Sequence, residues 1–187
     1  MQRTLIASTV AAGLTLAAGT ASAADWFPIA DEGYSAAPSV AVVGGNQSFA
    51  WDELDSGSVA GVEFALNCPL LAVDSVRIRQ QVSLTQYDED GLETTHLELN
   101  PHYLFVDDGA LTVGAGPGFG LVQGDMDGGG DDSVFALQAG ASVNYDFGPA
   151  FVGAEARYQW TTEADFGNNI EEDLSNTRVM AKVGVNF

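Results

Sequence analysis

Basic residues are scarce, with six Lys and Arg against 26 Asp and Glu in 187 residues. A chain this acidic offers no basic face to a phosphate backbone, which argues against nucleic-acid binding. Cysteine is scarcer still. The single Cys68 excludes an internal disulfide and any cysteine-rich metal site. Beyond the N-terminus no stretch approaches the roughly 18 uninterrupted apolar residues of a membrane-spanning helix. If the chain crosses a membrane, it does so as strands.

The N-terminus has the form of a targeting segment. Arg3 supplies a charged start, residues 5–18 are apolar, and Ala21-Ser22-Ala23 is a small-residue cleavage site. Residues 1–23 are therefore expected to be a signal peptide. Residues 24–39, with Asp25, Pro28, Asp31, Glu32 and Pro38 in no regular pattern, read as an extended periplasmic lead-in.

What is present in quantity is alternation with a period of two, the mark of a strand with unlike faces. In residues 177–187, Val179, Ala181, Val183, Val185 and Phe187 oppose Arg178, Met180, Lys182, Gly184 and Asn186. The same pattern marks 40–49, 59–68, 76–87, 94–105, 111–122, 135–147 and 152–160. It is strongest in the sixth segment, where Phe135, Leu137, Ala139, Ala141, Val143, Tyr145 and Phe147 oppose Gln138, Gly140, Ser142, Asn144 and Asp146. Turn signals such as Asp108-Gly109 and Gly148-Pro149 separate some segments, and longer acidic stretches separate the others. Eight alternating segments with short turns on one side and long loops on the other predict an all-β fold. The specific expectation is a closed antiparallel up-and-down transmembrane β-barrel of eight strands over residues 40–187.

A soluble eight-stranded barrel would carry its apolar face inward, so the two must be told apart. The apolar sets end in rings (Tyr103, Phe105, Phe119, Phe135, Tyr145, Phe147, Tyr158, Trp160, Phe187), as interfacial girdles do. Every base after the signal peptide (Arg77, Arg79, Arg157, Arg178, Lys182) falls in a polar set, together with Glu63, Glu98, Asp146 and Glu155. Buried charges need compensation, so these nine residues are expected to form a lumen charge network. The four glycines 114, 116, 118 and 120 on the polar face of the fifth strand should make room for its arginines. Sixteen of the 26 acids fall in the stretches near 50–57, 88–93, 124–132 and 163–176, which hold no base. All three features favour the membrane barrel.

From Val40 to Phe187 the chain resembles small Gram-negative outer-membrane β-barrels of the porin-family or OmpA/OmpW-like type. The stretches that carry the resemblance are Leu99-Asn-Pro-His-Tyr-Leu-Phe105, Val113-Gly-Ala-Gly-Pro-Gly-Phe-Gly120, Gly153-Ala-Glu-Ala-Arg-Tyr158 and Val183-Gly-Val-Asn-Phe187. The resemblance implies location in the cell outer membrane and Phe187 as a signal to the barrel-assembly machinery. It also implies contact with outer-membrane lipid and lipopolysaccharide, and a monomer. An anchoring role through a periplasmic peptidoglycan-binding domain is not expected. Strands crossing in alternation from a periplasmic start send the four acidic stretches to the cell surface.

Candidates for chemistry are few. His96, Glu98 and His102 share one face of the fourth strand at different heights, which suits interior hydrogen bonding better than a metal centre. No serine stands beside either histidine in the manner of a barrel-rim hydrolase, so no enzyme is expected. Asp125, Asp127, Asp131 and Asp132 lack the third regular acid and closing glutamate of an EF-hand, leaving at most weak divalent-cation binding and no cofactor. The expected role is a non-enzymatic structural or interaction protein of the envelope. The alternative is a narrow channel for small ions or solutes.

Overall fold

The structure is a computed structural model and describes residues 27–30, 32–50, 56–71, 77–89, 91–167 and 171–187. The expected signal peptide with its cleavage site, the loop acids Asp52, Glu53 and Asp55, and Asp90 lie outside the described residues. Ten strands follow a short 3-10 turn at Pro28–Ala30. They are β1 (Ser39–Phe49), β2 (Gly57–Asn67), β3 (Ile78–Glu89), β4 (Leu92–Asp108), β5 (Leu111–Met126), β6 (Asp131–Asp146), β7 (Ala150–Thr161), β8 (Glu163–Asp165), β9 (Glu171–Asp173) and β10 (Asn176–Asn186). Eight of them close a barrel in the order β1-β10-β7-β6-β5-β4-β3-β2. The seam is an eleven-residue antiparallel ladder from Ser39↔Asn186 to Phe49↔Asn176. Closure leaves the barrel itself no edge strand on which another chain could pair, and β8 and β9 form a separate two-stranded sheet.

The alternation places the apolar sets outside. Val42, Val62, Leu84, Leu97, Leu121, Leu137, Val179 and Val183 are all exposed, whereas Glu63, Gln81, Ser83, Glu98, Gln138, Glu155, Arg157, Arg178 and Lys182 are buried in the lumen. A protein surrounded by water would reverse this arrangement, because exposed apolar area costs free energy there and buried charge costs more. Rings edge the outward face, with Tyr145 against Phe147 and Tyr158 against Trp160 in edge-to-face contact.

Two expectations need correction. The stretches 88–93 and 124–132 are largely strand, since β4, β5 and β6 run for 17, 16 and 16 residues. A transmembrane strand needs only about 9–11 residues, so these hairpins rise well beyond the apolar band. There the polarity inverts without a change of phase. Leu92, Val122, Val134 and Ala136 point inward and are buried, while Glu93, Gln123, Asp125 and Ser133 are exposed. Above the membrane the outside is water, and the ordinary soluble rule returns.

The glycine expectation also changes. A β-carbon on Gly116, Gly118 or Gly120 would run into Pro101, Asn100 or Leu97 of β4, not into an arginine. The room for cations comes from elsewhere. A β-carbon on Gly140 of β6 would lie 2.9 Å from Arg157 Cγ, and one on Gly153 of β7 would lie 3.0 Å from Lys182 Cγ.

Candidate functional site in the barrel lumen

The lumen contains three layers. At mid-height lies an ion cluster drawn from four strands: Glu63 on β2, Glu98 on β4, Glu155 and Arg157 on β7, and Arg178 and Lys182 on β10. Arg157 is its hub. Its Nη1 donates to Glu98 Oε2 at 2.5 Å and to Ser83 Oγ at 2.9 Å, its Nη2 to Glu63 Oε2 at 3.4 Å, and its Nε to Glu155. Lys182 Nζ donates to both Glu63 oxygens at 2.9 Å and to Glu155 Oε2 at 2.6 Å. Arg178 pairs with Glu98 and donates to Thr85 Oγ1 at 3.1 Å. Three carboxylates thus face three cations, and the cluster is electrically neutral.

Of the nine residues expected to form one network, these six meet and three do not. Arg77 precedes β3 and pairs with Asp107 in partial exposure at the rim. Arg79 makes no ion pair among the described residues. Its guanidinium donates to Ala37 O at 2.7 Å, Ser39 Oγ at 2.6 Å and Asn67 Oδ1 at 3.4 Å. Asp146 accepts from Asn186 Nδ2 at 2.6 Å. The three share the correct face but sit nearer the end of the barrel that bears both termini.

Both histidines are buried within the lumen. His96 lies 2.9 Å from Thr94 Oγ1 and 3.1 Å from Gln159 Oε1. His102 Nδ1 lies 2.8 Å from Ser142 Oγ, a serine–histidine pair that linear spacing hid because the partners are 40 residues apart. A hydrolytic triad would also need a carboxylate on the other ring nitrogen and free donors for an oxyanion. His102 Nε2 has no hydrogen-bond partner, and Ser142 lies inside the β5–β6–β7 ladders, where backbone donors are engaged. The pair suits interior hydrogen bonding.

Above the ion cluster lies an apolar cap that sequence reasoning missed. The hairpin β8–β9 brings Ala164, Phe166 and Leu174 onto Leu92, Val122, Val134 and Ala136, with Phe49 and Met126 at the margin. Phe166 and Leu174 are the only large apolar residues among the acids of 163–176 apart from Ile170, which was the available signal. Asp132 helps hold the hairpin: its Oδ2 accepts from the Asp165 N–H at 2.9 Å and its Oδ1 from the Ser133 N–H at 2.8 Å. Those two donors, Asp165 first, lower the Asp132 pKa below its ordinary 3.8. Asp125 faces Asp131 across the β5–β6 ladder, and Asp127 sits at the turn. Among the described residues no three His, Cys, Asp or Glu side chains converge on a position for a metal ion.

Below the cluster, toward the termini, the lumen opens into a vestibule of about 460 Å³. Glu63, Gln81 and Ser142 line it together with Arg79, Asn144 and Asp146. The lead-in reaches its edge at Ala37, which adopts a left-handed φ of 39° while accepting the Arg79 hydrogen bond. Tyr34 Oη, donating to Asn67 O at 2.8 Å, ties the same segment to the barrel.

No protein-family model matches the sequence, and no curated protein matches it. Solved structures do. Neisserial surface protein A superposes with a TM-score of 0.56 at 15% identity, over 80% of this chain and 96% of the other. Ail, the attachment invasion locus protein of Yersinia pestis, gives 0.54 at 12% identity, over 82% and 100%. The N-terminal β-barrel domain of Pseudomonas aeruginosa OprF gives 0.51 at 17% identity, over 82% and 100%. At these identities the likeness establishes the fold, the closed eight-stranded barrel of outer-membrane proteins.

Proposed function

We propose that the chain is a non-enzymatic, non-conducting protein of the outer membrane that acts through its projecting, acidic cell-surface hairpins. The observation that carries this reading is the filling of the lumen. An eight-stranded barrel has little interior to spare, and here a neutral ion cluster occupies mid-height beneath an apolar cap. A permeating ion would have to separate buried pairs and cross apolar side chains, each step costing several kcal/mol. The outward apolar belt and its rings supply the lipid contact.

The surface stretches hold acids and no base, so an anionic polysaccharide of the heparin type does not suit them. Lipopolysaccharide phosphates would meet them through divalent cations, and at equal ionic strength calcium should then outperform sodium in ordering the hairpins. Phe187, exposed at the end of the seam, is free to serve as an assembly signal.

Conductance tests the reading directly. The protein folded into planar bilayers should give no unitary current steps, and steps that persist at high protein purity would replace it with the narrow channel.

A further inference from the structure

We infer that the vestibule at the terminal end of the barrel is a binding site for a small zwitterion bearing an ammonium and a carboxylate, of amino-acid to short-peptide size. Two walls carry the inference. On β3 the consecutive inward residues are Arg79 and Gln81, and on β6 they are Asn144 and Asp146. All four line the same cavity of about 460 Å³, within the roughly 300–1,000 Å³ range of small-ligand sites.

The two walls differ in charge, and among the described residues neither Arg79 nor Asp146 makes an ion pair. Every cation of the mid-height cluster has a carboxylate partner. Arg77 at the rim has Asp107. Arg79 alone, among the described bases, has only neutral acceptors. Asp146 on the other wall accepts from an amide, Asn186, and among the described residues from no cation within ion-pair distance. Holding a part-buried guanidinium and a carboxylate in one cavity without pairing them leaves each able to take an opposite charge from a ligand. A guanidinium fork matches a carboxylate.

The ammonium end is met by Asp146, and Asn144 and Gln81 line the cavity beside it. An ammonium has three donors and no acceptor, which suits a carboxylate. A simple anion would satisfy Arg79 but would face Asp146. A simple cation would leave Arg79 with its neutral hydrogen-bond acceptors alone.

The test is a titration of the full-length folded, isotope-labelled protein in detergent micelles with three probes. Glycylglycine carries both charges, N-acetylglycine only the carboxylate, and glycinamide only the ammonium. The expected result is saturable shifts of the Gln81 and Asn144 side-chain amide signals, with glycylglycine at least about tenfold tighter than either single-ended probe, as for loss of a charged hydrogen bond. Arg79→Gln should reduce glycylglycine to the level of glycinamide, and Asp146→Asn to the level of N-acetylglycine. Arg79→Lys should retain most of the binding, and dispersed strand amides confirm that each variant is folded. Equal affinity for the three probes, or no saturable shift in the folded protein, overturns the assignment.

Discussion

Replacing Arg157 with methionine tests the lumen at its hub. The substitution keeps much of the side-chain volume and removes the guanidinium that contacts Glu63, Glu98, Glu155 and Ser83. Three buried carboxylates would then face two cations, leaving one charge uncompensated. Breaking a buried pair in this way costs about 3–5 kcal/mol, a large part of a typical stability of about 5–15 kcal/mol. The surface turn provides the reference, since Asp127→Ala should stay within about 0.5 kcal/mol of the parent. Denaturant unfolding in lipid vesicles, followed by tryptophan fluorescence, measures both. A second variant separates charge from packing: Glu155→Gln added to Arg157→Met leaves Glu98 paired with Arg178 and Glu63 with Lys182, and should recover part of the loss. If Arg157→Met is as mild as Asp127→Ala, the cluster is solvated and the filled-lumen argument fails.

Other expectations follow from the cap and the packing. Phe166→Ala with Leu174→Ala should loosen the β8–β9 hairpin by about 2–5 kcal/mol of local stability, seen as faster amide exchange and proteolysis within residues 162–175 while the barrel keeps its heat-modifiable gel mobility. The hairpin should also respond to acid. The depressed Asp132 pKa means its contribution is complete above the ordinary 3.8 and is lost as pH falls through the lower folded value, so Asp165 amide exchange should accelerate only in that acidic window. Asp132→Asn should abolish the dependence, and exchange that instead changes near neutral pH would contradict it. Gly140→Ala should cost about 1–3 kcal/mol by crowding Arg157, with unfolding midpoints as the readout. Gly44→Ala is the control, because its nearest contact would be Val59 O at 3.8 Å.

The eight strands were legible because lipid imposes a one-sided rule along each of them. Val179, Val183 and Val185 on one face of β10, against Arg178 and Lys182 on the other, give both the strand and its inward side. Height is a different matter. Alternation assigns Arg79 and Arg157 to the same face, yet only strand tilt and stagger decide that Arg157 reaches three carboxylates and Arg79, among the described residues, none. The pairing of His102 with Ser142, from β4 to β6 over the inner face of β5, depends on the same geometry.

The membrane boundary explains the other misreading. At Leu92, Val122 and Val134 the chain keeps its period of two but exchanges the chemistry of its faces, because the medium outside changes from lipid to water. A reader following apolar residues outward sees the pattern fail there and assigns a loop. Acidic residues such as Glu93, Asp125 and Asp131 strengthen that impression, although each belongs to a paired strand. The inversion also produces the cap. Apolar side chains turned inward above the bilayer leave a dry ring at the barrel mouth, and Phe166 and Leu174 cover it. The acids of the surface hairpins and the seal over the lumen are therefore two sides of the same strands, so a substitution that makes the outward face of these extensions apolar would weaken the pressure that keeps the cap closed.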